Sequence, residues 1–335
     1  MTDVSDSLMT EHDRHLSFLD RAATWVAWAL AGMIFLTVGW FAMAPDDPLG
    51  AVSVLTRQGS WMMLLQVAGL AAATAALATV IAGRRLPEVG TFAAAVGLSA
   101  VSLRGGTAGS LLIQWADAAP VSQSNLPILL GLEAMAWFVI VFMARGFSIG
   151  VGHWCFGAYT EPRRDEGSGH MEGEHPPVSP LAKGGWRGVE LGATQGIKHM
   201  LIAAGLALLA FKILSAGLST RSVQHGQACF VVAAAVCIGS YMAYWLAPVR
   251  SALWAILAVP ILAVGGYVWA RLSPSPEGLP ASVPASAFLR VLPIQFIAVG
   301  TAAAVAMFWY LYHPELENAD HSHTSPYHAS PEGRG

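Results

Sequence analysis

The chain has 335 residues, 55% of them hydrophobic and 12% charged, with a mean hydropathy of +0.53, a balance that excludes an ordinary soluble domain and implies several membrane spans. A formal net charge of −3, with 18 Lys and Arg scattered mostly through the loops, leaves no basic footprint and excludes nucleic acid as a partner. The three cysteines, Cys155, Cys229 and Cys237, form no CxxC pair; the last two would sit about 12 Å apart along one helix, too far to bridge.

Residues 1–21 are acidic and polar and lack the basic start of a cleaved signal, so the first span is expected to serve as an uncleaved anchor. Apolar runs long enough to cross a bilayer follow at 22–44, 60–82, 126–144, 197–217, 226–247, 251–270 and 291–312. An eighth, 89–103, spans about 22 Å as a helix. It either continues through Arg104, Gly105 and Gly106 or breaks at the glycine pair. The expectation is an all-α polytopic membrane bundle of about eight helices, seven to nine, without β-sheet.

Two groups of four spans result, 22–146 and 197–312, joined by a polar loop at 147–196. That loop is rich in Glu, Gly and Pro and is expected to be mostly disordered, as is the histidine-containing tail 313–335. With the N-terminus inside, the inner loops carry more Lys and Arg than the outer ones, placing both ends in the cytoplasm of a bacterial-type inner membrane. Trp25, Trp28, Trp245, Trp254 and Trp309 then fall near the inner boundary, and Trp40, Trp61, Trp115 and Trp269 near the outer, where amphipathic rings collect.

Charges inside the apolar runs are the candidates for function. On this topology Glu133 lies about 10 Å and Lys212 about 8 Å below the outer ends of their spans, and Gln66 and Gln295 also fall in the outer half. One reading is an outward-facing polar pocket of Glu133, Lys212, Gln66 and Gln295, in which the acid and base pair to bind a solute or move a proton. The other has Lys212 snorkelling to the headgroups while Glu133 is hydrogen-bonded locally. The neighbours of Lys212 at helical spacing, Gly205, Leu208, Leu209, Ser215 and Ala216, suit a helix contact and lipid equally.

A third span broken at Gly105 and Gly106, beside a seventh interrupted by Pro260, Gly265 and Gly266, resembles the discontinuous helices of transporter sites, although packing accounts for such residues as readily. His153, His199 and His313 stand near the inner boundary, Cys155 close to the first; two of them would ligate a haem or metal if their helices were adjacent. His225, between Gln224 and Gln227, reads as a cap contact or a ligand. His170, Glu172, Glu174 and His175, and separately His321, His323 and His328, are metal-capable clusters in polar segments, where binding would be adventitious.

There is no HExxH and no GxxxxGK[ST] phosphate loop. GLSA at Gly97 and GLST at Gly217 imitate a serine elbow without a mid-membrane histidine to serve as base. The chain is therefore read as a non-enzymatic membrane protein, a small-solute permease or an accessory subunit, with the lipid bilayer and other membrane subunits as partners and no required cofactor. The alternative is a haem- or metal-binding redox subunit using His199, His153 and His313.

Overall fold

The computed structural model describes residues 22–47, 50–56, 60–83, 88–118, 125–156, 185–216, 224–249, 251–273 and 286–323. Apolar side chains all round most of these segments select helices buried in a bundle or facing lipid. Seven are long and apolar enough to span a membrane: α1 (Ala22–Met43), α2 (Ser60–Ala82), α5 (Leu126–Phe156), α6 (Gly185–Ser215), α7 (His225–Leu246), α8 (Ala252–Leu272) and α9 (Pro293–His323). The eighth expected span is divided into α3 (Val89–Ser102) and α4 (Ala108–Ala118), with the break at Gly105 and Gly106. The protein is an all-α, multi-pass membrane bundle.

The 14 residues of α3 reach about 21 Å, short of the hydrocarbon thickness, and most are buried, so α3 is an internal helix sheltered by its neighbours. Its start is fixed by Glu88, which holds a left-handed backbone at φ 70° and fastens to α5 through an ion pair with Arg145. Arg145 Nε donates to Glu88 Oε1 at 2.8 Å, and the Thr91 hydroxyl donates to Glu88 Oε2 at 2.8 Å.

Small residues set the helix spacing. Phe35 packs its ring where Gly97 has no side chain, Phe288 does the same over Gly266, and a Cβ on Gly239 would stand 2.5 Å from the Ala203 carbonyl. In α1 the turn Phe35–Gly39 is π-helical, and the Leu36 carbonyl accepts from Arg104 Nη1 at 2.6 Å while the guanidinium stacks 4.5 Å over Trp40. Pro260 lies within a continuous, buried stretch of α8.

The two groups of helices interlock. Within the first, α2 packs on α5 and α3; within the second, α6 packs on α7 and α8. Between groups, α3 packs on α9 and α8 on α5, so the third span of each group meets the fourth of the other, and α5 meets α9 along the centre. Helices also run past the expected loop boundaries: α5 continues to Phe156, α6 begins at Gly185 and α9 reaches His323. The loop's centre, with the His170 to His175 cluster, lies outside the described residues, as do the side chains of the tail histidines.

One end of the bundle, here the near end, holds the start of α1, where Trp28 lies parallel to Trp309 of α9 at 6.3 Å and against Phe92 of α3 at 4.6 Å. The opposite, far end holds the α1–α2 and α3–α4 connections and the short 3-10 turn Ala287–Arg290.

Candidate functional site at the far end

After α1 the chain turns at Asp47, whose carbonyl accepts from Gly50 N at 2.8 Å, and Ala51, Val52 and Ser53 then pass into the bundle in non-helical form. All three are buried. Non-helical backbone among apolar helices has to find hydrogen-bond partners in the protein. It finds them in two places. Gly50 O accepts from Gly106 N at 2.7 Å, and a single parallel bridge pairs Ala51 with Gly106.

The second partner is Glu133, on the second turn of α5 and 3% exposed. Its Oε2 accepts from Ser53 Oγ at 2.7 Å; its Oε1 accepts from Val54 N at 2.9 Å and from Trp137 Nε1 at 3.1 Å. Ser53 Oγ in turn accepts from Leu55 N at 3.2 Å, starting the 3-10 turn Val54–Thr56. Three donors converge on one carboxyl group, and all belong to this chain. Tyr267 of α8 is fully buried at this end, and its hydroxyl donates to Val291 O at 2.8 Å.

A second polar set joins the same end. His225, the first residue of α7, contacts Gly105 O through Nε2 at 2.9 Å and Gln295 Nε2 through Nδ1 at 2.9 Å. The Gln295 Oε1 already accepts from Leu292 N at 3.2 Å, so its amide NH2 faces the ring and donates to Nδ1. That assignment puts the imidazole proton on Nε2, donating to Gly105 O, in the neutral tautomer. Through Gly105, Gly106 and Gly50 the second set connects to the first, the backbone 50–53 completing the link from α9 to α5.

Of the two readings, the pairing of Glu133 with Lys212 is not formed. Lys212 is exposed, its Nζ lying 4.6 Å above the Trp269 ring on the surface between α6 and α8. The reason is rotation about the helix axis. The buried stripe of α6 runs from His199 through Ala203, Ala204, Ala207, Ala210 and Phe211 to Ser215, and Lys212 falls beside it with the exposed Leu209 and Ile213. Equal depth therefore brought no contact. Gln66 also departs from the expected pocket: it is exposed on α2 and lines a groove with α1. Gln295 is buried, but its partners are His225 and Leu292.

Two of the three inner-boundary histidines lie among the residues whose side chains are described. His199 is buried with Nδ1 2.9 Å from Ala247 O, whereas His153 is exposed at the end of α5, and the His313 side chain lies outside the described residues. Among the described residues no group of three or more His, Cys, Asp or Glu side chains is arranged to hold a metal ion.

Ser53, Tyr267 and the joining of His225 to Gln295 were not anticipated from the sequence. Trp137 was legible in principle, since a residue four positions after Glu133 shares its helix face. Comparison with protein-family models, with curated proteins and with solved structures finds no match for this chain.

Proposed function

We propose that this multi-pass membrane protein is a non-enzymatic accessory subunit of a membrane assembly. One observation carries the reading. The carboxyl group sunk among the apolar helices is closed on Ser53, Val54 and Trp137, anchoring a buried connection at the far end. An intramembrane acid that serves a solute or proton path keeps acceptor capacity facing that path. Here the acceptors face protein. Packing within the second group agrees: the void bounded by α6, α7 and α8 measures about 10 Å3, roughly one water-sized probe.

The near end, with Arg145 and Lys198, is assigned to the cytoplasm of a bacterial-type inner membrane by its excess of basic residues over the far end. Reconstitution into liposomes carrying an internal pH dye tests the main reading. Vesicles containing the protein should relax an imposed proton gradient no faster than empty ones. A faster relaxation abolished by Glu133→Gln would establish a conducting role and sink the proposal.

A further inference from the structure

Gln66 is the polar side chain of the expected pocket that the structure leaves facing outward. It stands six residues into α2, about 9 Å below the helix start at 1.5 Å per residue, and α2, at 23 residues, is only slightly longer than the hydrocarbon is thick. Its amide is therefore within the apolar layer. It is exposed on the bundle surface, and among the described residues it has no hydrogen-bond partner. Acyl chains offer an amide nothing, so an unpaired one at this depth is unfavourable.

Around it the surface is hollow. Gln66, Gly69, Leu70 and Ala73 of α2, with Val38, Phe41 and Ala42 of α1, bound a groove of about 560 Å3. A side chain on Gly69 would meet nothing within 4 Å, and Phe41 stands 83% exposed at the rim.

We infer that this groove is a homodimer interface, in which α1 and α2 of a second copy supply the partner for Gln66. Two copies inserted in the same direction are related by a two-fold axis along the membrane normal, which keeps every residue at its own depth. A group near that axis meets its own counterpart. An amide is self-complementary, with one acceptor and two donors, so paired Gln66 side chains exchange hydrogen bonds across the axis. The open face at Gly69 lets the backbones approach, and Phe41 of each copy faces the hollow of the other. This interface is independent of whether the chain carries a solute.

The test uses the full chain in liposomes, with Cys155, Cys229 and Cys237 replaced by Ala. Oxidation of a Gln66→Cys variant should give a disulfide-linked species of twice the monomer mass, and an Ile213→Cys variant, exposed on α6, should not. Energy transfer between separately labelled copies measures the equilibrium: Gln66→Leu and Gly69→Ile should each weaken dimerisation about threefold to tenfold, and Gln66→Asn should retain most of it. Both weakening variants should keep the parent's helical content by circular dichroism, because a side chain at position 69 meets nothing within 4 Å in the monomer and Gln66 has no hydrogen-bond partner among the described residues. A monomer at every protein-to-lipid ratio, a dimer insensitive to both substitutions, or cross-linking at Ile213→Cys in place of Gln66→Cys overturns the inference.

Discussion

The hydroxyl of Ser53 reaches the carboxyl of Glu133 across 2.7 Å, joining the connection after the first helix to the fifth helix eighty residues later. Val54 N and Trp137 Nε1 complete the set, so the buried acid behaves as a clamp on a segment with no regular structure to satisfy its backbone.

Loss of this clamp should be costly. Glu133→Gln keeps the shape but presents an NH2 to a donor, and it should destabilise the protein by about 1–3 kcal/mol. Ser53→Ala should cost about 1–2 kcal/mol, and the double variant should cost less than the sum, since the two share one bond. Thermal melts in a mild detergent measure all three. Strict additivity would count against the contact.

Hydrogen exchange should report the second polar set. His225→Ala removes the donor to Gly105 O, and Gln295→Leu removes the group that orients the ring. Either change should speed deuterium uptake in residues 103–107, where Gly106 N is held by Gly50 O at 2.7 Å. Uptake identical to the parent would show that the histidine does not hold this connection.

Lys212 is predicted to be nearly dispensable. An exposed cation over an aromatic ring is worth about 0.5–1 kcal/mol, so Lys212→Ala should shift the melt by no more than that. The charge exchange Glu133→Lys with Lys212→Glu should be no more stable than Glu133→Lys alone. Recovery in the double variant would mean that the two groups do meet.

Glycine substitutions should separate by position. Gly97→Ala drives a methyl into the Phe35 ring and should cost about 1–3 kcal/mol, while Gly205→Ala, with nothing within 4 Å of the new atom, should be neutral or gain up to about 1 kcal/mol from helix propensity. Melting temperatures of the two variants in parallel decide it.

Sidedness is open to labelling. In a Cys229→Ala, Cys237→Ala background, Cys155 is exposed at the near end, so an impermeant maleimide should reach it only after cells are permeabilised. An Asp46→Cys change at the far end should label on intact cells. The reverse pattern would invert the assignment.

Helix existence was readable because lipid forces the chain to satisfy its own backbone within each span, leaving long apolar runs as the signature. The break at Gly105 and Gly106 was readable as one of two outcomes for the same reason. Lateral contacts were not. Depth follows from counting residues along an axis, but the direction in which Lys212 points depends on which face of α6 meets its neighbours, and around Lys212 that face is mostly alanine on an apolar run. Ser53 was hidden differently: nothing in GAVSVL marks a connection that returns into the bundle, because the partner that makes its burial possible lies on another helix.

The position of α9 bears on how the molecule is made. It touches α3, α5, α7 and α8, all synthesised before it, and it brings Gln295 to His225. Until the ribosome delivers that segment, the faces of the earlier helices that α9 covers have no partner from it, and the imidazole lacks its amide. Assembly is thus a late event, and a nascent chain halted before residue 293 should be recognised by membrane quality control as incomplete.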